Sequence, residues 1–281
     1  MTRSIIVAAL LALPSAALAQ SAPSPAPSPT PVPDICSGGL SAVVSRPTQT
    51  TSACVVSRNQ VLIESGYQTQ TVDATSGSFT FSTLPNATIR IGTALRNVEF
   101  QVIPPTSIRS AGVTAAGDAG AGLKWQIAST PTIAYGLNVI ATAPTGSNPN
   151  GNPNGLGSSN ASTYTYNANV QGALSKVFGY GATLSVGSLA AAGTRYTSVI
   201  PSADVTLSLP ASWTLAAEAF RATNGEGPAT PAHTWFDLAA EKGVGNVQFD
   251  LSYGFSNRVA PAPGAPGVRH RYAGFGLSVL R

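Results

Sequence analysis

Apolar and polar residues alternate along most of the chain after residue 60, and the clearest case is the stretch from residue 162 to 187. On its first arm, Tyr164, Tyr166 and Val170 alternate with threonine and asparagine. After a short turn at residues 175 and 176, the alternation resumes from Phe178 to Val186. A period of two places successive side chains on opposite faces of an extended strand. The stretch therefore predicts a β-hairpin with one apolar and one polar face.

The polar face of these predicted strands carries mainly Gly, Ser, Thr and Asn, and few of the Lys and Glu residues that line a solvated sheet. Each arm is about 10 residues long, which is the length that a tilted strand needs to cross a bilayer. Both observations indicate strands whose polar face lies in a crowded or water-filled interior.

The same alternation recurs and predicts about twelve strands, joined alternately by long and short connections. Residues 72–77, 104–118 and 144–160 are long connections, whereas residues 95–97 and 175–176 are short. Outer-membrane barrels have tight turns at the periplasmic end and longer loops at the other end. The sequence therefore predicts an all-β fold, a transmembrane antiparallel up-and-down β-barrel, over residues 60–281. An exported β-sandwich binding module is the alternative, but its solvated face would carry more charge.

Pro85 interrupts the second predicted strand and predicts a bulge or bend, because proline cannot donate a ladder hydrogen bond. The pattern assigns Phe79, Phe81, Ile89 and Ile91, on either side of this bulge, to one apolar face.

The N-terminus has the organisation of an exported protein. Arg3 precedes a short apolar core at residues 5–13, and Ala17 and Ala19 form a small-residue cleavage site, so residues 1–19 are predicted to be a signal peptide. Residues 20–35 carry proline at nearly every second position, which predicts an extended linker. Together with the barrel pattern, these features predict a location in a bacterial outer membrane.

Cys36 and Cys54 are the 2 cysteines of the chain. After an export signal they are expected to form a disulfide, and closing such a loop contributes roughly 3 kcal/mol to stability. Residues 36–59 are accordingly predicted to be a disulfide-closed periplasmic segment.

Charge and histidine content limit the possible chemistry. A net charge of +4 is small and scattered along the chain, which argues against a nucleic-acid partner. His233 and His270, the 2 histidines, both lie near predicted loops, so a metal site is not expected. No nucleophile motif accompanies them, and the sequence predicts neither an enzyme nor a cofactor.

Charged residues on the polar face are the candidate functional group, because a charge facing lipid near the midplane of the bilayer would cost roughly 2–4 kcal/mol for Arg or Lys. They are expected to point into the lumen, either as an ion-pair cluster that fills it or as contacts for a solute. Carboxylates outnumber bases, which favours passage of cations or neutral solutes. The candidates are Glu64, Arg90, Glu99, Lys124, Asp204, Glu218, Asp237, Glu241 and Asp250.

Several short motifs follow one another in a fixed order along the chain. They are Glu64-Ser-Gly-Tyr67, Leu84-Pro85, Arg90-Ile-Gly92, Glu99, Gly117-Asp118, Gly122-Leu-Lys124, Ala143-Pro-Thr-Gly146 and Gly276-Leu-Ser278. In this order they resemble the outer-membrane proteins named for the MetA pathway of phenol degradation, over roughly residues 54–281. The resemblance implies an outer-membrane barrel that is linked by name to the uptake of aromatic compounds. One departure is the C-terminus, since this chain ends on Val279, Leu280 and Arg281 where barrels commonly present an aromatic residue to the barrel assembly machinery.

Two functions are compatible with these sequence features: a channel for a small solute, and a structural or surface barrel with a packed lumen. One further partner is expected at the outer rim. Arg195, Arg221, Arg269 and Arg271 fall at predicted extracellular strand ends with lipid-facing parity. A charged side chain on the outer face costs little free energy near the membrane interface. These arginines are therefore expected to contact lipopolysaccharide phosphates, with solvation in loops as the alternative.

Overall fold

The computed structural model describes residues 33–74, 77–147, 157–191, 194–224, 231–260 and 267–281. The predicted signal peptide and the predicted linker up to residue 32 lie outside the described residues.

Strands dominate the described chain. Helical structure in it is limited to α1 (Leu40–Val43) and two 3-10 turns, Ile35–Ser37 and Pro210–Ser212. Among the described residues, no helix is long and apolar enough to cross a membrane. The strands are β1 (Val61–Ala74), β2 (Gly77–Leu84), β3 (Thr88–Gly92), β4 (Val98–Ile103), β5 (Ser107–Ser110), β6 (Val113–Ala116), β7 (Ala119–Ser129), β8 (Ile133–Ala143), β9 (Thr163–Ala173), β10 (Phe178–Ala191), β11 (Thr194–Leu209), β12 (Trp213–Ala222), β13 (His233–Val244), β14 (Val247–Ser256) and β15 (Arg269–Leu280).

These strands form one antiparallel sheet that closes on itself. β15 pairs with β1 from Leu280 opposite Leu62 to Arg269 opposite Asp73. Three barrel strands are each built from two segments, β2 with β3, β5 with β4, and β6 with β7, so the 15 segments make a closed barrel of 12 strands. The predicted up-and-down barrel is therefore confirmed.

The two ends of the barrel differ. One end, called the turn end, carries both ends of the barrel chain and the short connections β3–β4, β7–β8, β9–β10, β11–β12 and β13–β14. The opposite end, called the loop end, carries the connections β8–β9, β12–β13 and β14–β15. Two predicted long connections differ from the structure. Residues 104–118 contain β5 and β6, and residues 72–77 belong largely to β1 and β2.

The faces of the barrel follow the predicted parity. On β7, Leu123 and Trp125 are exposed on the outer face, whereas Lys124 is 1% exposed on the inner face. The neighbouring strand β8 repeats this arrangement, with Leu137 outside and Asn138 inside. The result is a barrel with an apolar exterior and a polar interior.

The bulge at Pro85 reverses the predicted face of one strand segment. Ile89 on β3 lies opposite Ile63 and faces outward, but Phe81 on β2 lies opposite Gln70, an inward residue. An extra residue in one strand turns every side chain beyond it to the other face. The assignment of Phe79 and Phe81 to the same face as Ile89 is therefore wrong, and both rings belong to the inner face.

Residues 34–58 lie inside the barrel at its turn end, and this segment is called the plug. The Ile35 amide donates to the Thr130 carbonyl in the β7–β8 turn at 3.0 Å. The Val56 amide donates to the inward carboxylate of Glu99 at 2.7 Å. These contacts correct the expected periplasmic position of residues 36–59, because the segment returns through the lumen before it joins β1.

The plug and the barrel wall share an apolar core near the turn end. The disulfide between Cys36 and Cys54 closes the base of the plug, so the predicted bond is confirmed. The core consists of Leu40, Val43, Ala53, Cys54, Val56, Leu62, Ala134 and Leu280.

Candidate functional site

Arg90 joins the barrel wall to the plug. Its guanidinium lies 2.6 Å from Glu99 and 3.4 Å from Glu64. It also donates to the Val43 carbonyl and, at 3.1 Å, to the Cys54 carbonyl, both in the plug. Arg90 and Glu99 are at most 1% exposed, so the lumen charges form a buried, charge-assisted network around the plug base.

Carboxylates of the wall accept backbone amides of the plug. Glu64 accepts from the Ser45 amide at 2.7 Å. Four strands away around the barrel, on β12, Glu218 accepts from the amides of Gln49 and Thr50 at 2.7 and 2.5 Å. These amides have no helix or sheet partner at the tip of the plug, so the wall carboxylates satisfy them.

Arg46 at the tip of the plug binds to the seam where β1 meets β15. Its guanidinium lies 3.4 Å from Asp250 and donates to the Phe275 carbonyl at 3.5 Å. Gly66 and Gly276 lie opposite each other in this seam. A Cβ atom on either glycine would fall within 2.5 Å of the guanidinium, so only glycine leaves room for Arg46 here.

The remaining lumen candidates have other neighbours. Lys124 lies opposite Glu99 in the register of β4 with β7 and is buried beside the Arg90 network. Asp237 accepts a hydrogen bond from the Tyr272 hydroxyl. Asp204 and Glu241 line a cavity beside the plug.

An outer cavity of about 550 Å³ lies between the tip of the plug and the loop end. Aromatic rings form much of its wall. Phe220 stacks on Trp235 with ring centroids 5.5 Å apart, and Trp235 lies 5.9 Å from Tyr272. Phe81, turned inward by the bulge, and His233 complete this aromatic lining.

An inner cavity of about 320 Å³ lies beside the plug, against β9 to β13. Its wall carries Asp204, Glu241 and several hydroxyl groups, in contrast to the aromatic outer cavity. Arg46 and Thr48 of the plug line both cavities, so the tip of the plug separates them.

The rim arginines lie where the parity predicts, on the outer face at the loop end. Arg195 and Arg221 are exposed. Arg271 pairs with Asp73 at 2.9 Å, and Arg269 lies over the Phe255 ring at 5.3 Å.

Asp118, at the junction of β6 and β7, binds described residues at both ends of the connection between β8 and β9. It accepts from the Gly146 amide at 3.0 Å and from the Ser159 amide and hydroxyl at 2.9 and 2.7 Å. Burial by itself would raise the pKa of Asp118, but hydrogen bonds from Ser158, Ser159 and Gly146 hold it below its usual value.

Metal binding finds no support in the described part of the chain, where no three His, Cys, Asp or Glu side chains are grouped to hold an ion. His233 and His270 meet edge to face at 4.8 Å beside Trp235 and belong to the aromatic region.

The sequence pattern predicts neither the aromatic lining nor the plug. Trp235 and Tyr272 stand at polar-parity positions between small or charged residues, and that placement was the available signal for inward rings. The plug has no period of two or of 3.6, so no pattern marked it.

Comparison with known proteins supports the fold. No protein-family model matches the chain, and no curated protein matches it. The structure is similar to an outer membrane channel from Pseudomonas putida F1, with a TM-score of 0.61 and 14% identity over 84% of this chain and 100% of that chain. The NanC porin (TM-score 0.49, 11% identity, 78% of this chain and 98% of that chain) and the Pseudomonas putida toluene transporter TodX (0.44, 8%, 87% and 92%) are less similar.

The fold is thus that of a known outer-membrane channel, and the assignment rests on the first of these similarities. The resemblance to the phenol-degradation family stays a prediction.

Proposed function

We propose that this protein is an outer-membrane channel for small solutes, with aromatic compounds as the candidate class. The observation that carries the proposal is the aromatic outer cavity of about 550 Å³ within a barrel of apolar exterior. Cavities of roughly 300–1,000 Å³ suit small organic ligands. Aromatic rings attract one another by about 0.5–1.5 kcal/mol beyond the burial of their area.

The test uses purified protein in planar bilayers and in liposomes. We expect ion conductance, and swelling rates that are higher with phenolic solutes than with sugars of similar size. Trp235→Ala should lower the preference for phenolics by about two- to tenfold, because one ring contact is lost. Trp213→Ala is the matched control, since Trp213 lies on the outer face at the turn end. An equal preference in both variants would contradict aromatic selection.

Carboxylates in the lumen support a second proposed property of the channel, a preference for cations. Asp204, Asp237 and Glu241 lie on the inner face, and their hydrogen bonds and ion pairs among the described residues do not reach the plug. Carboxylates along a pore favour cations. In a salt gradient the reversal potential should therefore show cation preference, and Glu241→Gln should reduce it.

The second candidate is a structural barrel whose lumen stays filled. The hydrogen bonds between the plug and strands β1, β4, β10 and β12 favour it. Absence of conductance both in the full chain and in a variant lacking residues 34–58 would support this candidate against the channel. In either case the barrel assembly machinery is the expected partner for insertion, with β15 as the C-terminal strand.

A further inference from the structure

Three neighbouring strands line both cavities, so each of them crosses the level of the plug tip. On each strand one residue borders the outer cavity and another borders the inner cavity. The pairs, outer residue first, are Ile200 and Asp204 on β11, Phe220 and Ala216 on β12, and Trp235 and Glu241 on β13.

On two of these strands, the residue between the cavities is bonded to the plug. Ser202 on β11 accepts from the Thr50 hydroxyl at 2.9 Å. Glu218 on β12 accepts from Thr50 and from the Gln49 amide. The plug is therefore joined directly to the wall along β11 and β12.

β13 differs from its neighbours. Its inward residues between the two cavities are Asp237 and Ala239. Asp237 is bonded to the Tyr272 hydroxyl, and Ala239 offers only a methyl group. Within the described ranges, no hydrogen bond or ion pair joins the plug to β13.

On the plug side, Thr48 lies in sequence between residues bonded to strands on either side of β13, and its own hydroxyl donates to the Thr50 carbonyl within the plug at 2.9 Å. Its neighbours in the chain are held elsewhere, Arg46 by Asp250 on β14 and Gln49 by Glu218 on β12. β13 lies between those two strands. Thr48 and Arg46 each border both the outer and the inner cavity.

We propose that solute crosses the barrel with the plug in place, along β13, through a constriction between Thr48 and Ala239. This inference rests on the proposed channel function and adds the route and the residues that limit it. The route leads from the aromatic outer cavity past Asp237 to the inner cavity beside Glu241. It suits slender solutes that are uncharged or cationic, because an anion would pass two carboxylates in succession.

The first test fixes the plug. Thr51 of the plug and Thr183 on β10 have hydroxyl oxygens 3.5 Å apart, and β10 is three strands away from β13 in the barrel. Thr51→Cys combined with Thr183→Cys should cross-link the tip, and mass spectrometry should show this bond together with the native Cys36–Cys54 bond. Glycerol-driven liposome swelling should stay within about twofold of the wild-type rate. A loss of about tenfold or more on cross-linking would overturn the route.

The second test fills the constriction. Ala239→Phe should reduce glycerol flux by about tenfold, because the ring occupies the gap opposite Thr48. Ala240→Phe is the matched control, since Ala240 is the next residue of β13 and faces outward opposite Leu251. Unchanged flux in Ala239→Phe, with normal folding by gel mobility, would also overturn the route.

Two further variants separate the possible failures. If Ala239→Phe does not fold, Thr48→Trp places the obstruction on the plug instead and should give the same loss of flux. If Thr51 and Thr183 fail to cross-link, Thr50→Cys with Ser202→Cys replaces them. Flux that appears only after deletion of residues 34–58 would leave the channel function standing and reject the route. Absence of flux in every variant would reject both.

Discussion

At the scale of single residues, the lumen charges hold the plug, and Arg90 is the centre of that arrangement. It pairs with two carboxylates and donates to two plug carbonyls, while almost none of its surface is exposed. Desolvation makes such a group expensive to bury without its partners. The network therefore depends on every member being present.

Arg90→Met is expected to destabilise the folded barrel by about 3–5 kcal/mol, because Glu64 and Glu99 would stay buried without their cation. Thermal unfolding in detergent measures this loss, and protease cleavage within residues 34–58 measures release of the plug. Arg271→Gln, on the exposed outer face, is the control and should change neither. Equal stability of the two variants would contradict the role of Arg90.

Stability of the loop end is expected to depend on pH, because it relies on the ionised carboxylate of Asp118. Its pKa is lower in the fold than in the unfolded chain, so its stabilisation is complete above the unfolded value of about 4 and is lost as the pH falls through the folded value. Proteolysis at residues 157–161 should therefore accelerate below about pH 4. Asp118→Asn should be cleaved at a rate that does not change over the same range. A wild-type rate independent of pH would argue against this loop anchor.

At the scale of elements, the alternation of apolar and polar residues predicts the barrel strands. It does so because one face of each strand lies on the apolar exterior and the other on the polar interior. Glu64, Arg90, Glu99 and Lys124 could be placed on the inner face by that rule alone. The inward turn of Phe79 and Phe81 could not, since it depends on one extra residue near Pro85 that only pairing with β1 reveals. The plug could not be predicted either, because its backbone is held by side chains far away in sequence.

The expected contact with lipopolysaccharide would lie on the outer face of the barrel, at the loop ends of the strands. Arg271 and Arg269 already contact Asp73 and Phe255, whereas Arg195 and Arg221 are exposed. Replacing all four with Gln should reduce co-purified lipopolysaccharide, and Arg195→Gln with Arg221→Gln should account for most of the reduction. The control is Arg96→Gln with Lys176→Gln, at the turn end. Unchanged lipopolysaccharide in the fourfold variant would mean that these arginines are merely solvated.

At the scale of the whole molecule, closure of the barrel leaves no free strand edge, and the disulfide-closed plug braces the interior. A sheet without edges resists unravelling in detergent. Unheated and boiled samples should therefore migrate differently on SDS gels. Identical migration, with the protein in the soluble periplasmic fraction, would instead favour an exported sandwich.

The pocket that receives Arg46 contains residues from both extremes of the barrel chain. Gly66 belongs to the first strand, and Gly276 and the Phe275 carbonyl belong to the last. Neither half of this pocket is complete until β15 has met β1. The tip of the plug therefore has its complete binding site only in a closed barrel. Binding of Arg46 at this site is accordingly a late step of biogenesis, and it occurs only when assembly of the barrel is complete.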